Sequence, residues 1–221
     1  NAACPGDAIE VQSGTYYENV DVNKQLTLQG KDTGSGLPVV DAGGSGNAIT
    51  LSANNCTLKD FVAMNSSSGH SGIRVTSSSN TISGNTATGN YYGIYLQSSS
   101  GNTISGNTAT GNSVGIRLTS SSNGNTITGN TATGNTESGI VLDSSSNNTI
   151  SGNTATGNSV GIRLFSSSNG NTITGNTANR NGHTGIYLEY NCNSNTITGN
   201  TATGNLEGIF LFTSSNNTVS G

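Results

Sequence analysis

The chain has 221 residues, enough for one large domain or a stack of repeats, yet 8% are charged, 5% are aromatic and none is tryptophan. The formal charge of −4 is modest and spread along the chain; with no basic patch, a nucleic-acid partner is excluded. No apolar run nears the ~20 residues of a membrane-spanning helix.

Taken from its start, NAACPGDAIEV shows no signal peptide, and the chain closes in mid-repeat on NNTVSG, so it reads as a mature or trimmed piece of something longer. Residues 1–71 read as irregular coils ahead of the regular repeats. DAIEV, KQLTLQG and PVVDAGG are expected to form one broad coil, with TYYENVDVN as an insertion. Ala48–Asn65 (AITLSANNCTLKDFVAMN) aligns with the later repeat at an offset of 24, so Ile49 and Leu51 match Ile73 and Val75, and Cys56 stands where Asn80 does.

Residues 72–221 are tandem repeats. G-I-x-[LV] or a close variant starts at Gly72, Gly93, Gly115, Gly139, Gly161, Gly185 and Gly208; N-T-[IV] starts at Asn80, Asn102, Asn125, Asn148, Asn171, Asn195 and Asn217. After each comes N-T-A-T-G-N or a close variant. Every piece alternates apolar and polar residues over a few positions, which is strand periodicity, and nowhere is there a helical pattern. Three short strands in each ~22-residue turn describe an all-β, right-handed parallel β-helix (a β-solenoid) of about nine coils, stacked at ~4.8 Å. In such a stack equivalent residues lie one above another. Three asparagine columns, headed by Asn80, Asn85 and Asn90, are therefore expected to bond from coil to coil.

The units GIYLQSSSGNTISGNTATGN and the opening NAACPGDAIEVQSGTYYENVDVNKQLTLQG resemble NosD-type right-handed β-helix repeats, of the group called carbohydrate-binding proteins and sugar hydrolases, and most of all their archaeal cell-surface versions. That group includes lyases, hydrolases, epimerases and non-catalytic surface modules, so the resemblance implies a fold more than an activity. The NosD name implies copper handling, but His70, His183 and Met64 do not cluster as copper ligands would, so no metal and no cofactor is expected. Cys4, Cys56 and Cys192 fit no zinc spacing; a Cys4–Cys56 disulfide and buried free thiols both remain open.

Two outer faces are candidates for binding. On the G-I-x-L strand one column contains Arg74, Tyr95, Arg117, Arg163, Tyr187 and Phe210, and its neighbour contains Phe165 and Phe212. Aromatic rings and guanidinium forks suit sugars and acidic groups, so this is the expected carbohydrate surface. In the same neighbouring column Asp143 and Glu189 fall two coils apart, roughly 10 Å, at or beyond the upper end for an inverting glycosidase. With no base-plus-arginine set beside them they read as solvated surface acids. The second face is built by outward threonines. Thr86, Thr108, Thr131, Thr154, Thr177 and Thr201 form one rank; Thr88, Thr110, Thr133, Thr156 and Thr203 form another. A flat T-x-T sheet of that kind is the alternative, an ice-binding surface. The expectation is thus a non-enzymatic extracellular or cell-surface module, a rigid scaffold with possible contacts to surface glycans or end to end to its own copies. The alternatives are ice binding and a carbohydrate-active enzyme.

Overall fold

Pieces of three to six alternating residues, punctuated by glycine and asparagine, allow only short strands before the chain must turn. The computed structural model describes residues 3–221 and contains 24 strands, with no helix among the described residues. The strands stack in three parallel sheets of ten, five and nine members. Sheet A collects the N-T-I segments such as Thr126–Thr128, sheet B the T-A-T segments such as Thr108–Thr110, and sheet C the G-I-x-L segments such as Val114–Thr119. Pairing joins equivalent residues of successive coils: Ile104 with Ile127 in A, Ala87 with Ala109 in B, Ile94 with Ile116 in C. The expected solenoid of about nine coils is therefore the observed fold.

The core is a set of identical columns. One coil contributes Ile127, Ala132, Ile140 and Leu142, all fully buried, and its neighbours contribute their counterparts. The glycine that opens each G-I-x-L strand is dictated by close approach. A Cβ on Gly115 would lie 2.5 Å from the carbonyl oxygen of Gly139 and 3.0 Å from the Ala132 methyl.

The asparagine columns form as expected. Asn107 Nδ2 donates to Asn130 Oδ1 at 3.0 Å, and Asn130 Nδ2 donates to Asn153 Oδ1 at 3.0 Å. The same Oδ1 of Asn130 accepts the Asn107 backbone N–H at 2.9 Å, while its Nδ2 also donates to the Ile104 carbonyl at 2.9 Å. Each buried amide thereby satisfies backbone groups that the turn leaves unpaired. A further ladder, not expected from the sequence, runs through the serine-rich turn with the opposite polarity. Ser146 N–H donates back to Asn123 Oδ1 at 2.7 Å, and Asn169 N–H donates back to Ser146 Oγ at 3.0 Å.

The N-terminal expectation needs correction. Ala8–Gln12, Thr15–Tyr17 and Val20–Val22 are three strands of one coil; each pairs with its counterpart in the next, namely Thr27–Lys31, Val39–Asp41 and Ile49–Leu51. TYYENVDVN is therefore not an insertion. It supplies the sheet B and sheet C strands of the first coil, with Val22 buried and Tyr16 and Val20 half-buried. Packing is looser here, around two cavities of about 200 and 190 Å³ that share Val20 and Leu28.

All three cysteines are free, so no disulfide forms between Cys4 and Cys56. Cys56 Sγ is buried and donates to the carbonyls of Lys24 and Ala53, both at 3.2 Å. Cys192 Sγ donates to the Glu189 carbonyl at 3.1 Å, and burial pushes its thiol pKa up. Titration with a thiol reagent is expected to modify Cys4 alone in the native protein and all three residues once it is denatured. Substituting Asn130 by alanine strands the Asn107 N–H inside the stack and removes the side-chain bonds to Asn107, Ile104 and Asn153. A loss of about 2–5 kcal/mol in urea unfolding is expected, since each buried unpaired group costs ~1–3 kcal/mol.

Candidate functional site

Sheet C carries the longest strands of the repeats, six residues in Val114–Thr119 against three in Thr126–Thr128, and so presents the widest outer face. Residues between the two inward positions of G-I-x-L point outward and pair coil to coil: Arg74 with Tyr95, Tyr95 with Arg117, Arg117 with Val141, Val141 with Arg163, Arg163 with Tyr187, and Tyr187 with Phe210. The parallel column holds Gln97, Thr119, Asp143, Phe165, Glu189 and Phe212. All eight residues expected to form a carbohydrate surface therefore share one face.

Their arrangement is a repeated module. Arg117 donates from Nη1 to the Tyr92 hydroxyl at 2.9 Å and from Nη2 to Asp143 Oδ2 at 3.2 Å, while its guanidinium lies 5.2 Å from the Tyr92 ring centroid. Arg163 donates from Nε to Glu189 Oε1 at 2.7 Å, bonds the same oxygen from Nη2, and lies 4.8 Å from the Phe165 ring centroid. Arg74 bonds the Gln97 carboxamide oxygen and lies 5.6 Å from the Tyr95 ring centroid. Each module is thus a guanidinium fork held between an oxygen acceptor and an aromatic ring, a geometry that fixes the fork. Beyond the last module Tyr187 stacks on Phe210 at 5.3 Å, and Phe212 lies 6.5 Å from Phe210.

The acids are consequently not solvated surface groups. The side chain of Asp143 is half-buried against Arg117, and Glu189 is 4% exposed against Arg163. Each acid is ion-paired with an arginine of the neighbouring column. Glu207 lies on the strand Glu207–Phe212 and accepts from Thr184 Oγ1 at 3.1 Å. The acceptors Gln97, Asp143 and Glu189 and the hydroxyl of Tyr92 were not singled out as arginine partners from the sequence. A signal existed, because Asp143 and Glu189 each follow their arginine by one coil plus two residues.

The threonine ranks stack coil to coil as well: Thr86–Thr88 pairs with Thr108–Thr110, and the rank continues through Thr131, Thr154, Thr177 and Thr201, with Ala132 N–H donating to the Thr154 carbonyl at 2.7 Å. His70 and His183 sit apart, each bonded to a neighbouring hydroxyl, Ser67 at 2.8 Å and Thr184 at 2.9 Å. Among the described residues no group of three or more histidine, cysteine, aspartate or glutamate side chains stands in position to hold a metal ion.

Desolvation first, then the carboxylate of Glu189, pushes the Tyr187 phenol pKa up from 10.0 to about 12. An acid whose pKa is higher folded than unfolded holds its proton longer in the native state, so stability falls as pH rises between those values. Alkaline denaturation is expected to show a loss across pH 10 to 12 that shrinks in Tyr187→Phe.

The chain matches the model of the right-handed β-helix region over residues 31–178 and 71–221, and it belongs to that family. No curated protein sequence matches it. Among solved structures it is similar to the periplasmic alginate epimerase AlgG, with 18% identity and a TM-score of 0.59, covering 85% of this chain and 55% of that one. It is similar to the enzymatically active domain of bacteriophage CBA120 tailspike protein 2, with 19% identity and a TM-score of 0.74 over 98% and 38%. It is also similar to the Dettilon tailspike protein, with 17% identity and a TM-score of 0.68 over 87% and 43%. At these identities the likeness is one of fold, and the chain spans 55% of the epimerase and less than half of either tailspike chain. The expectation of a non-enzymatic module is overturned, because an epimerase and an enzymatically active domain stand among these neighbours.

Proposed function

We propose that this protein is a carbohydrate-active β-helix that holds a polysaccharide on the outer face of sheet C. The observation that carries the reading is the row of arginine modules, Arg74 with Gln97, Arg117 with Asp143 and Arg163 with Glu189, each beside an aromatic ring. Rings stack on the apolar faces of sugars, while forks and carboxylates bond their hydroxyls. Support comes from the neighbours, which are named as an alginate epimerase and an enzymatically active tailspike domain.

Asp143 and Glu189 are the acid and base of this reading. They stand two coils apart, about 9.6 Å along the axis at ~4.8 Å per coil, just beyond the ~6.5–9.5 Å carboxylate span that leaves room for a water in inverting glycoside hydrolysis. In the resting protein both are held by arginine. A bound glycan has to draw one carboxyl away from its guanidinium before that group can carry a proton. Val141, the one aliphatic residue in the column between Arg117 and Arg163, is buried between the two pairs. The NosD-type likeness and the periplasmic and tailspike neighbours support a place outside the cytoplasm, at a cell envelope or surface.

The test is retention on a panel of immobilised polysaccharides, followed by assay of reducing ends and of product stereochemistry. Retention with turnover is expected. In Asp143→Asn with Glu189→Gln, turnover falls by about 10²-fold or more, the usual share of positioned acid–base groups. Equal turnover by the double variant would remove these two residues from the chemistry; no retention on any glycan would remove the reading.

A further inference from the structure

The modules of sheet C recur every second coil, not every coil. Ser113–Ala132 (SVGIRLTSSSNGNTITGNTA) returns at Ser159–Ala178 with one change, Thr119 to Phe165, whereas the coil between them carries Val141 in place of the arginine. The same two-coil step separates Gln97, Asp143 and Glu189, the three acceptors, and separates Arg74, Arg117 and Arg163, the three forks. The arginine–acceptor pairs therefore recur at about 9.6 Å, twice the coil spacing of ~4.8 Å, whereas their rings do not: Tyr92 and Tyr95 share one strand and Phe165 lies three coils on.

Charge is balanced within that repeat. Arg117 and Arg163 are each neutralised by a carboxylate one coil on, and only Arg74 has an uncharged partner. A polyanion laid along this face gains little from forks already paired, and meets two carboxylates of its own sign. A hydroxyl-rich neutral chain loses nothing on either count. It can take the unused donor sites of the forks, the exposed part of the Asp143 carboxylate and the ring faces together, the Glu189 carboxylate being 4% exposed beneath Arg163.

We infer that the ligand of this face is a neutral, extended polysaccharide running parallel to the solenoid axis, read two sugars at a time. The inference rests on the carbohydrate reading above and specifies its substrate class. In an extended chain of diequatorially linked pyranoses each sugar advances the polymer by close to one coil and is turned over relative to the last. Equivalent hydroxyls and ring faces then recur every second sugar, in step with the modules.

The test is calorimetric titration of the full chain with cello-, manno- and chito-oligosaccharides of two to seven sugars, with alginate oligosaccharides as the anionic comparison. For one neutral series the affinity is expected to climb in two-sugar steps, by roughly five- to tenfold at four and again at six sugars, the hydrogen bonds of one arginine–acceptor pair per step. Little change is expected at five or seven sugars, or between low and high salt. Phe165→Ala, on the surface of the stack, is expected to remove one step while leaving the circular dichroism of the coil unchanged. Affinity that grows evenly with each sugar, or stops at one disaccharide, overturns the two-sugar register. Tighter binding of alginate with a steep salt dependence overturns the neutral class. Both results leave glycan binding itself standing, whereas silence toward every oligosaccharide overturns the carbohydrate reading as well.

Discussion

Everything in this molecule depends on a carboxamide being able to donate and accept at once, at the spacing of stacked β-strands. Asn130 receives from the coil before through its oxygen and gives to the coil after through its nitrogen. That bond is available only if the residue above is also asparagine at the same turn. The constraint explains why the eight-residue unit around each N-T-A-T-G-N is written so nearly unchanged, although it contains little that can do chemistry. A single substitution breaks two contacts in one column, and the buried turn has no water to replace them. One column of the serine-rich turn solves the same problem with reversed polarity, the N–H groups of Ser146 and Asn169 giving back to the preceding coil, while Ser99 and Ser145 beside it give forward.

Once the turns are locked, the faces follow. Sheets A and B have three-residue strands with one inward side chain, leaving two outward positions that threonine and serine fill. Sheet C, with six-residue strands, has room for two inward aliphatics and two outward columns. Variation is concentrated there because its outward residues are free of the ladders. Chemistry-bearing side chains can change on sheet C without disturbing the bonds that stack the coils, which is why arginine, tyrosine, valine and phenylalanine follow one another in a column whose inner neighbours hardly vary.

The fold was legible because a repeat collapses a three-dimensional contact map onto one offset. Ile104 meets Ile127 for the same reason that Asn102 meets Asn125: both pairs are one period apart. Where the period fails, so did the reading. TYYENVDVN looked like an insertion because its Asn19 and glutamate-bearing turn match nothing downstream, yet Tyr16, Val20 and Val22 turn toward the interior as later strands do. The outer face of sheet C was legible as two columns, but not as modules. Columns considered one at a time hide a diagonal contact, and Arg117 reaches Asp143 only by crossing one coil upward and one column sideways.

The diagonal pairs change what the face can do. An unpaired arginine on a solvated sheet would sample many rotamers and give up that freedom on binding, a cost of up to ~2 kcal/mol for a long side chain. Held between a carboxylate and a ring, the forks of Arg117 and Arg163 have lost that freedom before any ligand arrives. The face is therefore preorganised, and a weak contact at each module is retained rather than spent on ordering. The same locking sets a condition on the chemistry proposed above. A carboxylate that anchors an arginine is a poor proton carrier until something else takes the guanidinium, so on that proposal binding and proton transfer at Asp143 and Glu189 are coupled through the arginine pairs, and a ligand that fails to compete for the fork would be held but not transformed.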